Sequence, residues 1–230
     1  MSKDRFTVYF AGDLFDHKHL AGNALLASNI ERTSECRYHC ILPQDLEQTY
    51  ERAVNVRNQD LRQVMECDMA LFNFDGADLD SGTVVEFMLA KFLDIPAVIL
   101  RTDFRTGGDQ CPDGNDWNLM CSFYPRTRIV RINGMEWYQK SRPGHPSVEH
   151  GLAAMYNKVA TLVVDALDAV RNEPPLLEHN PNRVETMYRW ALRFPGSEFY
   201  EFVGGDDFIR KLLPRKREKG LIPGSPGSTQ

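Results

Sequence analysis

Strand-like and helix-like segments alternate over roughly the first 135 residues, and this alternation constrains the fold more than any other sequence feature. The strand-like segments are short runs of apolar, β-branched and aromatic residues, and most of them end at Gly, Pro or Asp. Such a regular succession predicts a doubly wound parallel α/β sheet with helices on both faces. The predicted strands are 5–12, 38–43, 69–75, 96–101 and 127–132, and the predicted helices are 16–35, 45–65 and 83–93.

The remaining chain departs from this pattern. A polar loop rich in Gly, Asp and Pro spans 102–126, and loops of this length in compact domains tend to be functional or disordered. Residues 147–173 have the apolar spacing of a long amphipathic helix. We therefore predict a catalytic domain over 1–172. The predicted C-terminal extension, 173–230, holds one helix near 183–193 and a disordered basic tail.

Composition and short motifs exclude several classes of function. The net charge of −5 provides no basic surface for nucleic acid or an anionic membrane, and no apolar run approaches the ~20 residues that span a bilayer. The charged start does not resemble a signal peptide, so we expect a cytoplasmic protein. Five cysteines without a CxxC pair predict neither disulfides nor a zinc site. His17 and His19 would not share a helix face, so we expect no metal there. We also expect no cofactor, because neither GxGxxG nor a P-loop is present.

The carboxyl ends of the predicted strands carry polar and acidic residues. In open parallel sheets, ligands bind at this edge. The predicted crevice lacks clustered Lys and Arg, so it favours a neutral polyhydroxyl or heterocyclic ligand over a phosphate. The residues expected at this edge are Tyr9, Gly12, Asp13, Gln44, Asp45, Asp75, Asp78 and Asp80, and Glu86 follows in the first turn of the next predicted helix.

Glu86 has two readings that its spacing leaves open. A carboxylate near a helix N-terminus suits nucleophilic attack on a glycosidic carbon, with a second group handling the proton of the leaving group. Thr83 and Glu86 also have the spacing of a capping box, in which Glu86 would only bond the helix start. Asp75 could likewise be an ordinary loop carboxylate, and Asp80 a turn residue beside Gly82.

Four segments together resemble a known family. VYFAGDLF, ILPQ, DMALFNFDGADLDSGTVVEFMLA and NLM are similar to the motifs of the nucleoside 2-deoxyribosyltransferases, over roughly residues 5–165. The central block, with its Asp-Ser-Gly-Thr-x-x-Glu, is the most specific of them. The resemblance implies a flavodoxin-like fold with a five-stranded sheet. It also implies transfer of 2-deoxyribose between nucleobases with retention at the anomeric carbon.

The resemblance also implies roles for individual residues. Glu86 would form a covalent deoxyribosyl-enzyme intermediate, and Tyr9 would orient it by a hydrogen bond. Gly12, Asp13 and Ser81 are further candidates for substrate contact. The resemblance assigns Asp75 and Asp80 to contact with the base and its proton, Gln44 to the base side of the pocket, and Asn118 and Met120 to a neighbouring subunit's site in a homo-oligomer.

Two departures and two alternatives accompany this interpretation. Asp13 stands where family members commonly carry Pro, and Met88 where they carry Gly, which bears on base preference. One alternative is an N-glycosidase for deoxynucleosides or deoxynucleotides, in which water intercepts the intermediate; Ser81 is the obvious hydroxyl for a phosphate. The other is a non-catalytic nucleotide sensor with the C-terminal extension as its output module.

Overall fold

Five parallel strands form one sheet in the order β2-β1-β3-β4-β5. The computed structural model describes residues 5–46, 53–105, 115–177 and 180–224. This strand order is the flavodoxin-like one and confirms the predicted fold class. The strands are β1 Phe6–Ala11, β2 Tyr38–Ile41, β3 Met69–Asn73, β4 Ala97–Arg101 and β5 Thr127–Arg131.

Helices cover both faces of the sheet, as the alternating pattern predicted. Successive side chains of β1 point to opposite faces, so Val8 and Phe10 enter one core while Tyr9 and Ala11 enter the other. The first face is covered by α1 His17–Thr33, α4 Gly134–Ser141 and α5 Val148–Arg171, and the second by α2 Ala53–Glu66 and α3 Ser81–Phe92.

Two predicted helix starts differ from the structure. The helix predicted from Asp45 begins at Ala53 among the described residues, and Asp45 itself ends a short 3-10 turn that starts at Pro43. Residues 47–52 lie outside the described part of the chain. α3 begins two residues before the predicted Thr83, because Asp80 caps it.

The C-terminal extension is built into the core and is more helical than predicted. It contains α6 Pro181–Ala191, α7 Phe199–Val203 and α8 Asp206–Glu218, which bury their apolar residues in the same core as α2 and α3. The basic stretch that was predicted as part of a disordered tail lies within α8 as far as Glu218, where the helix ends. Lys216 is buried there and donates to the Cys67 carbonyl, so this part of the prediction was wrong. The chain end, 225–230, lies outside the described residues.

The long polar loop is described only at its two ends, since residues 106–114 lie outside the described ranges. Its second end carries a 3-10 turn, Leu119–Cys121, which Asn118 caps by accepting from the Met120 amide at 2.9 Å. Across the helices that the structure describes, none is long and apolar enough to cross a membrane.

Candidate active site

A cavity of about 450 Å³ opens at the carboxyl ends of β1 and β2, beside the N-terminus of α3. Its volume falls in the range of small-molecule sites. Among the described residues that line it, none is Lys or Arg, as the sequence predicted for this edge. The lining residues are Gly12, Leu14, Phe15, Leu20, Pro43, Gln44, Val56, Asp60, Asp80, Gly82, Thr83 and Glu86.

A hydrogen bond between Tyr9, on the sheet, and Glu86, in the cavity, connects the two. The Tyr9 hydroxyl donates to Glu86 Oε1 at 2.6 Å, which matches the contact that the sequence resemblance implied. Tyr9 is fully buried, and burial together with the nearby negative charge of Glu86 raises its pKa well above the usual value. The phenol therefore stays protonated and remains a permanent donor to the carboxylate.

The environment of Glu86 makes ionisation costly. Burial raises the pKa of its carboxyl to about 7, and the charges of Asp60 and Asp80 push in the same direction, while the bond from Tyr9 opposes them. Glu86 lies in the second turn of α3 rather than in the predicted first turn. The helix dipole acts mainly within the first turn, so it supports the charged form less than the sequence suggested. At neutral pH the carboxyl consequently exchanges easily between its two protonation states.

Asp80 is the N-cap of α3, so Glu86 is not part of a capping box with Thr83. Asp80 Oδ2 accepts from the Thr83 amide at 2.7 Å and from the Thr83 hydroxyl at 2.9 Å. Thr83 is therefore inside the helix and not at its N-cap. Asp80 fixes the start of α3 and lines the cavity at the same time, so its structural and chemical readings are compatible.

Asp60 is a cavity residue that the sequence reasoning missed. It projects from α2, and burial raises the pKa of its carboxyl to about 6. Its Oδ1 is buried and has no hydrogen-bond partner in the structure. The available signal was an acidic residue on the apolar side of an amphipathic helix, one turn before the buried Val64. A second carboxylate of raised pKa thus lies close enough to Glu86 to influence its charge.

Gln44 and the loop after β1 complete the wall of the cavity. Gln44 Nε2 donates to the Leu20 carbonyl at 2.9 Å, which holds the side chain against α1. Gly12 is required by close approach, because a Cβ there would lie 3.0 Å from Asn73 Cβ. Asp13 lies behind this wall, where burial and then the charge of Asp80 raise the pKa of its carboxyl. Phe15 is 78% exposed at the cavity mouth.

Asp75 does not line this cavity. Its Oδ1 accepts from the amides of Thr102 at 2.5 Å and Asp103 at 2.8 Å, and its Oδ2 accepts from the Thr102 hydroxyl at 2.6 Å. The carboxylate therefore braces the loop after β4. The role that the sequence reasoning gave Asp75 stays a prediction that the geometry does not favour.

Ser81, Asn118 and Met120 line a second cavity of about 380 Å³ on another face of α3. They do not border the cavity that holds Glu86. Met120 is 74% exposed, so most of its side chain is open to solvent. Among the described residues, no group of three or more His, Cys, Asp and Glu side chains is placed to hold a metal ion.

The cavity thus holds three carboxylates, Asp60, Asp80 and Glu86, and the surroundings of Asp60 and Glu86 differ. Glu86 is bonded by Tyr9, whereas Asp60 keeps a carboxylate oxygen without a partner. Pairs of titratable groups with different environments are typical of sites that separate nucleophilic from acid–base work. The arrangement is suited to splitting a glycosidic bond, with one carboxylate attacking and the other moving a proton.

The chain is similar to several solved structures and, in part, to one protein family. No curated protein matches the sequence significantly. Solved structures that resemble the chain include a conserved protein from Enterococcus faecalis V583, with 25% identity over 57% of this chain and 94% of that one and a TM-score of 0.47. A 2-desoxiribosyltransferase from Leishmania mexicana matches with 21% identity over 54% and 89%, TM-score 0.43. A 2-deoxyribosyltransferase from the psychrotolerant bacterium Bacillus psychrosaccharolyticus matches with 18% identity over 43% and 74%, TM-score 0.36.

These three TM-scores lie below 0.5, so the assignment of a family depends on the sequence match. Residues 8–120 match the sequence model of the family described as nucleoside 2-deoxyribosyltransferase. This segment contains both Tyr9 and Glu86, together with Asp60 and Asp80. Residues 8–120, just under half of the chain, are thus similar in sequence to the nucleoside 2-deoxyribosyltransferase family, in agreement with the motifs that the sequence contains.

Proposed function

We propose that the chain transfers 2-deoxyribose between the nucleobases of 2′-deoxynucleosides by two displacements that retain the anomeric configuration. The observation that carries this proposal is the hydrogen bond from Tyr9 to Glu86 inside a cavity that also holds Asp60. A fixed donor on one carboxylate oxygen leaves the other oxygen to react. The family match supports deoxyribosyl transfer in general, and the mechanism below is inferred from the cavity.

In the first displacement, Glu86 attacks C1′ of the deoxynucleoside. Tyr9 occupies Oε1, so Oε2 forms the new C–O bond while the C1′–N bond to the base breaks. The electron pair of that bond goes to the base nitrogen, and Asp60 supplies the proton that lets the base leave as a neutral molecule. The products are a deoxyribosyl ester of Glu86, a free base and an ionised Asp60.

The second displacement reverses these steps with another base. A nitrogen of the incoming base attacks C1′, the C–O bond to Glu86 breaks, and its electron pair returns to the carboxylate. The proton released by the base goes to Asp60, which regains its starting state. Two inversions give net retention, and the ester preserves the sugar until an acceptor arrives.

The other walls of the cavity provide contacts for the substrate. The exposed ring of Phe15 at the mouth offers a flat apolar surface on which a base stacks. Gln44 supplies a side-chain amide on the same side. Both bonds that Asp80 makes to Thr83 fall on Oδ2, so we assign its Oδ1 to a polar group of the substrate. We give Asp60 the proton role that the resemblance gave to Asp75.

The charges around the cavity support a nucleoside rather than a nucleotide as the substrate. Asp16 Oδ1 accepts from the amides of Lys18 and His19, so a carboxylate already occupies the helix N-terminus where a phosphate would bind. Asp13 and Asp80 add negative charge nearby. A 5′-phosphate would be repelled by this group, whereas a 5′-hydroxyl would be accepted as a hydrogen-bond donor.

We further propose that Asn118 and Met120 complete the site of a neighbouring subunit in a homo-oligomer. Both residues lie outside the cavity of their own subunit, and the exposed Met120 side chain is available to another chain. A site shared in this way would require assembly for activity.

Exchange of bases tests the role of Glu86. Wild-type protein with deoxyinosine and adenine should form deoxyadenosine, and Glu86→Gln should form none above background because an amide cannot act as the nucleophile. Chromatographic separation of the products measures both. Glu201→Gln, at an exposed position of α7, is the matched control and should keep wild-type exchange. Free deoxyribose instead of deoxyadenosine would indicate a hydrolase, and no reaction at all would indicate a sensor.

The stability of Glu86→Gln shows whether this variant is inactive because it lacks the nucleophile or because its fold is damaged. The folded-state pKa of Glu86, about 7, lies above its ordinary value of 4.5, so the folded state loses stability as pH rises through this window. Glu86→Gln cannot ionise and should have a higher unfolding midpoint than wild type at pH 8. The difference should shrink toward pH 4. An inactive variant that is also less stable at pH 8 would point to a structural role.

The pH dependence of exchange tests the role of Asp60. The pKa of Asp60, about 6, lies below that of Glu86, about 7, so only a minor fraction of the protein has Asp60 protonated and Glu86 ionised at once, and exchange should be fastest between these two pH values. Loss of the proton donor should lower kcat by about 10²–10⁴-fold and remove the alkaline limb. Rates measured from about pH 5 to 9 show both effects. Asp165→Asn, at an exposed position of α5, should leave the profile unchanged. An alkaline limb that persists in Asp60→Asn would contradict the assignment.

Mixing two inactive variants tests the shared site. Glu86→Gln and Asn118→Ala should each be inactive alone as homo-oligomers. Unfolded together and refolded, they should recover about a quarter of the wild-type sites in a random dimer, because one site then pairs an intact Glu86 with an intact Asn118. No recovery, despite mixed oligomers by mass spectrometry, would show that Asn118 serves its own subunit.

A further inference from the structure

Asn23 connects the two loops that form one wall of the active-site cavity. It lies in α1 and is only 7% exposed. Its Nδ2 donates to the Asp13 carbonyl at 3.0 Å, in the loop after β1, and to Gln44 Oε1 at 3.4 Å, after β2. Asn23 itself does not line the cavity, so any effect on the substrate passes through these neighbours.

The bonds around Gln44 allow only one orientation of its amide. Oε1 accepts from Asn23, and Nε2 donates to the Leu20 carbonyl at 2.9 Å. If the amide turned over, Nε2 would face the donating Nδ2 of Asn23, and Oε1 would face the Leu20 oxygen. Two donors would then oppose each other, as would two acceptors, and the nearly buried Asn23 would lose one of its two hydrogen-bond partners.

A fixed amide distinguishes two chemical classes of nucleobase. Adenine and cytosine carry an amino donor where hypoxanthine and thymine carry a keto acceptor. Gln44 keeps one unused N–H and one unused lone pair after its two bonds are made, and each has a set position. An amide that could turn would suit both classes, whereas a fixed amide suits one of them better.

We infer that Asn23 is a positioning residue that holds Gln44 in one orientation and thereby sets the preference of the site between amino and keto bases. This inference rests on the proposed function, because it names a determinant of base choice in the same cavity. The contact with Asp13 alone would make Asn23 a brace for the loop after β1. A brace affects stability or overall rate, whereas the contact with Gln44 affects the ratio between bases.

Two substitutions at Asn23 separate these roles. Asn23→Asp replaces the donor with acceptors and favours the reversed amide of Gln44, whereas Asn23→Leu removes the restraint altogether. The matched control is Asn29→Asp, also in α1, where the partly exposed amide bonds to Leu25 and Arg32 of the same helix.

The readout is the ratio of kcat/KM for adenine and hypoxanthine as acceptors with thymidine as the common donor. Wild type and Asn29→Asp should prefer the same base by about tenfold, the effect of one hydrogen bond. Asn23→Leu should bring the ratio near one, and Asn23→Asp should reverse it. An unchanged ratio in both Asn23 variants, or a wild-type ratio near one, would overturn the inference.

Binding measured without turnover distinguishes this failure from failure of the proposed function. Calorimetry of adenine and hypoxanthine with Glu86→Gln, alone and combined with Asn23→Asp, gives the same ratio as affinities. If wild type exchanges no base but the affinity ratio reverses with Asn23→Asp, the proposed transfer fails and the positioning role stands. If wild type exchanges bases, and neither the kcat/KM ratio nor the affinity ratio changes on substitution of Asn23, only the inference about Asn23 fails.

Discussion

The hydrogen bond between Tyr9 and Glu86 is the interaction on which the rest of the site depends. It joins strand β1 to helix α3 at 2.6 Å, and Tyr9 lies in the same core as Phe87, the neighbour of Glu86. The strand fixes the phenol because Tyr9 is fully buried between the sheet and the α2–α3 layer. The helix fixes the carboxylate because Asp80 caps its start and Phe87 anchors the next position in the core. The reactive oxygen is therefore placed by elements that do not move independently.

Burial raises the pKa of this carboxylate, which suits its proposed chemistry, but it also lowers the stability of the folded state. Raising the pKa of Glu86 and Asp60 means that each ionised form destabilises the folded state relative to an exposed carboxylate. The C-terminal helices α6–α8 share the core of α2 and α3, and Asn58 of α2 donates to the Ser197 carbonyl at 3.4 Å. The extension thus supports the layer from which both carboxylates project, which explains its close integration into the core.

Much of the fold followed from the sequence because its signals are local. The near-continuous apolar runs of β3 and β4 predicted buried parallel strands, and the structure has them. Glu86 and Tyr9 stood out because a motif marked them, and the structure brings them together. The basic residues of α8 misled the prediction, since Lys216 is satisfied by a carbonyl that only tertiary packing provides.

Within the site, the differences between the sequence-based expectations and the structure have a common physical cause. Asp75 follows a strand and looked catalytic, but the loop after β4 returns and uses its carboxylate. Asp60 lies inside a helical pattern and no motif marks it, and α2 turns it toward the cavity. Asn23 has no motif, and its contact with Gln44 depends on how two loops meet. These roles depend on contacts between segments that are far apart in the sequence, and such contacts cannot be predicted from hydrophobic periodicity.

Trapping the covalent intermediate tests the central claim most directly. Protein mixed with a 2′-deoxynucleoside in the absence of an acceptor base and quenched in acid should carry one added deoxyribosyl group by intact mass. Peptide mapping should locate the group on Glu86, and an amount of free base equal to the modified protein should appear in the quench. Release of free base without any modified protein, or a modification mapped to another residue, would contradict the account.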